Sequence, residues 1–382
     1  MSAQPTPAPT PAAATPGLTI YGLLGKMAQL NASDLHVKVG MPPYYRIAGE
    51  LRSTSLPPLS GEQIEKLLAP VVPAPRRAAY EEKGDADFSL QLQNGERFRF
   101  NIFRSSNAMN AAVRRVKNTI PSFEELHLPP IYRQLIERAN EGLILVCGVT
   151  GSGKSTTLAA MIEWINAHRS EHVVTIEDPV EYTFQTKHCI ISQREIGIDI
   201  PDYEEGLKYI VRQDPDVVFI GEMRDHYTMS AALQAAETGH MVFGSLHTAD
   251  AAQAFARILE FFPRSEHPFL RGSLANSLQA ICAQRLLPGT DPKTHPLVPA
   301  TEVLLNTPTA RELIRREQDA EIPNLIVASE KEGMHNFTTS LANLVNTDLV
   351  YRDTAMKFAP NPEALSSLLR GIRSSTGGVL GR

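Results

Sequence analysis

The sequence predicts an α/β protein: a mostly parallel sheet between helices, preceded by a smaller α+β domain. Three observations carry this. First, short apolar runs, Leu143–Cys147, Val173–Ile176, Asp216–Ile220 and Met241–Leu246, alternate with helix-like stretches. Strands buried on both faces read this way, as continuous apolar runs instead of alternating ones. Second, the pattern before Pro121 is different, with strands that alternate apolar and polar residues around an Asn94-Gly95 turn, the mark of a hairpin. Third, 382 residues exceed what one ordinary core can hold.

Bulk properties bound the rest. Net charge is −5, so no global basic field points to nucleic acid, and none is expected as a partner. Cys147, Cys189 and Cys282 are far apart in the chain, and no C-x-x-C pair suggests a structural zinc site. That usage fits a reduced, cytoplasmic chain. No apolar run approaches the ~18 residues of a spanning helix, and the N-terminus has no signal-like apolar region, so no membrane insertion is expected.

Residues 1–17 are rich in Pro, Ala and Thr and read as a disordered tail. Residues 18–121 form the first domain. Tyr21–Leu30 looks helical, and Leu35–Val39 and Tyr44–Ile47 are short strands around Gly40-Met41-Pro42-Pro43. Ser60 with Gln63 has capping-box spacing for a helix to Leu68. The hairpin joins Phe88–Leu92 to Arg97–Phe103, with Phe98, Phe100 and Ile102 on one face and Arg97, Arg99 and Asn101 on the other. Ala111–Val116 adds a strand with Arg114 and Arg115. Prolines mark a linker at 122–130, and the sheet core follows at 131–287. Residues 288–372 read as mostly helical, with candidates at Thr309–Glu317, Asn336–Leu344 and Pro362–Leu369, and 373–382 as a flexible tail.

Each apolar strand of the core ends in chemistry, at the sheet edge where open α/β sheets bind ligands. Leu143–Cys147 runs into Gly148-Val149-Thr150-Gly151-Ser152-Gly153-Lys154-Ser155, which fits G-x-x-x-x-G-K-[ST], and a helix-like stretch from Thr156 follows. Glycines let successive N–H groups turn inward to cradle phosphates, and the helix N-terminus adds partial positive charge. Lys154 is the candidate for the β- and γ-phosphates, and Ser155 for Mg²⁺. Val173–Ile176 ends in Glu177, Asp178 and Glu181, which could hold Mg²⁺ or polarise water; taken alone they could equally be an acidic solvated loop. Asp216–Ile220 ends in Gly221-Glu222-Met223-Arg224-Asp225, a Walker B pattern. It makes Glu222 the candidate base for the attacking water, while Arg224 and Asp225 could instead pair to stabilise the loop. Met241–Leu246 ends in His247-Thr248, placed to sense the γ-phosphate; His240, at the other end, could serve as a cap. The arginines of the first domain could supply charge to a phosphoryl-transfer site or form a solvated sheet face.

Together these motifs resemble the ATPases of type II, type IV and pilus secretion systems, most closely the PilT-type retraction ATPases, over residues 18–372. The boxes stand in family order: Walker A at Gly148–Ser155, an Asp box at Thr175–Glu181, Walker B at Asp216–Asp225 and a His box from Thr238-Gly239-His240 to Leu246-His247-Thr248. Ala32-Ser33-Asp34-Leu35-His36 and Arg97-Phe98-Arg99-Phe100-Asn101 are also family-like. The resemblance implies a PAS-like first domain, a RecA-like core and an ATP- and Mg²⁺-dependent homohexameric motor. It implies a location at the inner membrane as a peripheral protein, a pilus platform protein as partner, and contact with other pilus ATPases. It casts Arg99 and Arg115 as phosphate-neutralising arginines, Glu181 and Glu222 as acids of hydrolysis, and His247 as the His-box histidine. The retraction branch carries an A-I-R-N-L-I-R-E-like motif. Here Thr309–Arg316 keeps Arg311, Leu313, Ile314 and Arg315 but not the first alanine or last glutamate. The tetracysteine insert and long extra N-terminal domain of the assembly branch are not seen.

Overall fold

The structure, a computed structural model, describes residues 17–47, 49–116 and 119–371. The tails read at either end of the sequence lie outside the described residues up to residue 16 and beyond residue 371. The chain divides into two compact units between residues 118 and 119.

The first unit runs α1 (Ile20–Gln29), β1 (Asp34–Val37), β2 (Tyr44–Ile47), β3 (Glu50–Ser53), α2 (Gly61–Leu68), α3 (Ala74–Lys83), β4 (Asp85–Gln91), β5 (Arg97–Ser105) and β6 (Ala108–Val116). Its strands form one antiparallel sheet in the order β3-β2-β1-β6-β5-β4. Gly95 takes the positive φ that the β4–β5 turn requires. Phe98, Phe100 and Ile102 are fully buried and pack with Leu24 and Met27 of α1 and Ile64 and Leu68 of α2. Each such side chain contributes about 1.5–3 kcal/mol on burial. The Ser60–Gln63 capping box, formed as the spacing predicts, adds about 1 kcal/mol. The apolar face, more than the caps, therefore sets how this sheet packs.

The second unit opens with α4 (Pro130–Arg138), followed by β7 (Gly142–Cys147), α5 (Lys154–His168), β8 (His172–Glu177), β9 (Ile190–Glu195), α6 (Tyr203–Ile210), β10 (Val217–Ile220), α7 (His226–Glu237) and β11 (Met241–Leu246). It continues through α8 (Ala251–Glu260), α9 (His267–Ser277), β12 (Leu278–Pro288), β13 (Leu297–Leu305), α10 (Pro308–Arg315), α11 (Ile322–Ala328), α12 (Phe337–Asn346), α13 (Arg352–Phe358) and α14 (Pro362–Leu369). The sheet order is β13-β12-β7-β11-β10-β8-β9, parallel except for the antiparallel β12–β13 pair.

Helices cover both faces, which explains the unbroken apolar runs. Along β7, Leu143, Leu145 and Cys147 pack into one core layer, and Ile144 and Val146 into the other. Leu158, Met161, Ile162 and Ile165 bring α5 down on the second layer, all fully buried. β13 carries the sheet to Leu305, inside the stretch that the sequence reads as mostly helical. Pro299 hides it in the sequence. A proline removes a ladder donor and is tolerated on an edge strand, and β13 is that edge.

Candidate active site

The loops following β7, β8, β10 and β11 leave the sheet at the same edge, because those four strands are parallel neighbours. They enclose a cavity of about 420 Å³. Thr150, Gly151, Gly153, Lys154, Ser155 and Thr156 line it from the loop after β7. Glu177, Asp178 and Glu181 line it from the end of β8, Glu222 from β10 and His247 from β11. Gly148 and Ser152 form the underside of the loop, and Val149 is exposed.

Backbone geometry makes the loop a cradle. Gly148, Gly151 and Gly153 all have positive φ. At Gly148 a Cβ would collide with the Ser152 hydroxyl and lie 2.7 Å from the Gln284 carbonyl oxygen, so no larger residue fits. α5 begins directly at Lys154 with Gly153 as its N-cap, leaving the first amides of the helix without side-chain cap partners. That is an anion site by construction. The Lys154 ammonium donates to the carbonyls of Gly148 (2.9 Å) and Val149 (3.3 Å). Burial lowers its pKa, while Glu222 and Glu181 oppose that shift.

The acids differ in kind. Glu177 is buried, and burial pushes its pKa up to about 7 against the pull of hydrogen bonds from the Thr175 hydroxyl (2.7 Å) and the Gln193 amide (3.2 Å). Asp178 is half-exposed and lies 4.0 Å from Arg224, whose guanidinium also stacks over Tyr203. Glu222 is 3.5 Å from His247 Nε2. The histidine pKa is lowered by burial and by the Lys154 charge, so the imidazole stays neutral near pH 7. The oxygens of Ser155, Glu177 and Asp178 are a hard donor set suited to Mg²⁺. Among the described residues no cluster of three acids, cysteines or histidines could cage a metal by itself. The site therefore fits an ion that takes most of its ligands from phosphate and water.

Two sequence alternatives resolve. Asp225 does not pair with Arg224; it caps α7, accepting from the Thr228 amide at 2.9 Å. His240 is a helix-end residue, its Nδ1 lying 3.0 Å from the Ala235 carbonyl. The arginines of the first unit do not share one face. Arg99 lies opposite Arg114, but Arg115 lies opposite Phe98, on the side of the buried aromatics. Arg99 is 3.9 Å from Asp87, whereas Arg115 is held by Glu96 in a two-pronged pair at 2.6 and 2.7 Å.

Several lining residues carry no sequence motif. Tyr182 follows the acidic box directly and meets the Thr156 hydroxyl at 2.8 Å, so proximity could have found it. Ser245 hides inside an apolar strand, donating to the Gly221 carbonyl at 2.6 Å. Tyr203 and Leu286 arrive from α6 and β12, distant in sequence, and nothing local signals them.

A family model described as "Type II/IV secretion system protein" matches residues 19–340. The type IV pilus retraction ATPase PilT of Pseudomonas aeruginosa is 37% identical over 346 residues, covering 91% of this chain and 99% of that protein. The chain belongs to the type II/IV secretion system protein family, as an ATPase of the PilT type. A crystal structure of the pilus retraction motor PilT with bound ADP superimposes with a TM-score of 0.84 at 39% identity, covering 91% of this chain and 99% of that one. The type IV pilus ATPase PilU of the same Pseudomonas strain is also 37% identical, over 348 residues, covering 91% of this chain and 90% of that protein. The RecA-like fold of the second unit and the PAS-like antiparallel sheet of the first are those of the family.

Proposed function

We propose that this ATPase is the hexameric motor that retracts a type IV pilus. The observation that carries the reading is similarity to PilT along nearly the whole of both chains, first unit included. In this reading Lys154 and the amides of Gly151 to Thr156 hold the phosphates of ATP. Ser155, with Glu177 and Asp178 acting directly or through water, would hold Mg²⁺, which would supply charge neutralisation for the phosphates. Glu222 orients and deprotonates the attacking water, and Glu181 adds negative charge beside it. His247, kept neutral, can hydrogen-bond a γ-phosphate oxygen without repelling Lys154. Arg99 and Arg115 bring positive charge from the first unit. Phosphoryl transfer leaves the protein mainly positioning and electrostatics to supply, and these groups supply both.

The working assembly is a homohexamer in the cytoplasm, held against the inner membrane by a pilus platform protein, with other pilus ATPases as partners. Among the described residues no helix is long and apolar enough to cross a membrane, so attachment through a partner accounts for that location. Nucleotide would drive motion by binding two conformations of the motor unequally.

Deletion of the gene tests the reading: hyperpiliated cells that no longer retract are expected, and bald cells would overturn it. A specific observation favours a second reading as an accessory ATPase of the PilU kind. The Thr309–Arg316 segment departs from the retraction motif at both ends, and α10 keeps Ala310 and Ile314 inward and Arg315 on Asn276. Normal retraction after deletion, weakened only under load, would select it.

One substitution probes the arginines. Arg115→Ala should lower turnover by on the order of 10²-fold or more, since an arginine at a developing phosphate charge is worth at least that. Stability should fall by about 1–3 kcal/mol, because the two-pronged pair with Glu96 is mostly buried and the variant leaves that carboxylate unpaired. Steady-state hydrolysis and thermal unfolding check both; equal hydrolysis by the variant and the parent would remove Arg115 from the site.

A further inference from the structure

The underside of the phosphate loop rests on β12, a strand that carries none of the family's boxes. Gln284 of β12 is almost wholly buried. Its amide nitrogen donates to the Ser152 carbonyl at 2.7 Å, and its Oε1 has no hydrogen-bond partner. The carbonyl can only accept, so the amide must present its NH₂ group there. A buried amide used at one end alone costs more than an apolar residue of the same size would. The single bond it makes is the reason to look for a role.

Peptide planarity supplies that role. The Ser152 carbonyl and the Gly153 N–H belong to the same trans peptide and point in opposite directions. Gln284 holds the carbonyl on the underside. The Gly153 N–H is thereby aimed to the other side, where Gly153 lines the cavity and Ser152 does not. The fit is close: a Cβ on Gly153 would stand 3.1 Å from the Gln284 amide nitrogen.

β12 is a firm reference for this contact. Arg285, the next residue, stacks its guanidinium over Phe337 of α12 at 4.2 Å and donates to the Phe358 carbonyl at the end of α13. Thr301, opposite Gln284 on β13, donates its amide to the Ser340 hydroxyl of α12 at 2.9 Å. Glu302, the next residue of β13, accepts from the Ala251 amide at the start of α8, just beyond His247.

We propose that Gln284 is a positioning residue of the phosphate site: by holding the Ser152 carbonyl it aims the Gly153 amide at the nucleotide and ties the loop to the C-terminal helical layer. The proposal rests on the nucleotide reading of the cavity. The parent protein's binding of ADP tests that reading, and the variants tested against the parent test Gln284.

Gln284→Met keeps the length and removes the donor. Its Kd for ADP, measured by calorimetry, should rise about tenfold, the loss of roughly one hydrogen bond to a charged group. Gln279→Met is the control. Gln279 lies on the same strand and makes the same kind of bond, amide to the Glu141 carbonyl at 2.9 Å, in a more exposed place away from the loop. Its affinity should match the parent's. Gln284→Glu keeps the shape and can donate only when protonated; burial raises the carboxyl pKa, so its Kd relative to the parent should rise with pH as the carboxyl ionises. ADP affinity within about twofold of the parent in a folded Gln284→Met would overturn the proposal. If that variant does not fold, a flat pH ratio for Gln284→Glu overturns it as well. An equal loss in Gln279→Met would show that general strand stability is responsible, and would also overturn it.

Discussion

Glu222→Gln should bind ATP with nearly unchanged affinity and lose hydrolysis by about 10²–10⁴-fold, the usual contribution of a positioned general base. The substitution is close to isosteric. It keeps an oxygen near His247, 3.5 Å away in the parent, and removes only the negative charge and the proton acceptor. Binding should persist because the phosphates are held by the loop amides and Lys154, on a different strand end. Lys154 loses a favourable neighbour, since Glu222 is the leading charge that opposes its burial shift. A modest gain in affinity for the polyphosphate is therefore in keeping with the assignment. Calorimetry with ATP and a steady-state phosphate-release assay separate the two quantities. Near-normal turnover would refute Glu222 as the base and move attention to Glu181, which lines the same cavity.

Lys154→Ala should lower affinity for ATP and ADP by about 10²-fold or more, with a folded chain. Two effects add. The charged hydrogen bonds to phosphate, worth about 1.5–3 kcal/mol each, are lost. The carbonyls of Gly148 and Val149, which the ammonium holds at 2.9 and 3.3 Å, lose their donor, so the loop is less well fixed before nucleotide arrives. Calorimetry reads the first effect and thermal unfolding without nucleotide reads the second. Affinity within about threefold of the parent would mean that the amides alone hold the phosphates.

How legible the molecule was in its sequence depended on whether local pattern and burial coincide. Leu143–Cys147, Val217–Ile220 and Met241–Leu246 were readable because strands buried on both faces need apolar residues throughout, and each is buried along its whole length in the fold. The loop at Gly148–Ser155 was readable because its glycines are demanded by backbone geometry. β9 was not, since Ser192, Gln193 and Arg194 sit on an edge strand only partly buried. α3 was missed because only Tyr80 is buried in it, so its sequence shows no helical stripe. β13 was masked by Pro299. The cavity followed the same logic. The acids and His247 lie next to strand ends that the sequence reveals, whereas Tyr203 and Leu286 reach it from elements that it does not, and Gln284 supports its loop from beneath. The separation of Arg115 from Arg99 turned on pairing register, which no single strand's sequence carries.

Lys154 resting on the carbonyls of its own loop has a bearing on how tightly the site can hold anything. Its ammonium already has oxygens at hand, and a phosphate must outbid them. What a titration measures is then the difference between two sets of ion–oxygen contacts, one internal and one brought by the ligand. Strong individual contacts can in this way yield a moderate net affinity, and the lysine can pass from one set to the other without being stripped bare. For a machine that must discard ADP at every step, release is helped by having the internal set ready to take the charge back.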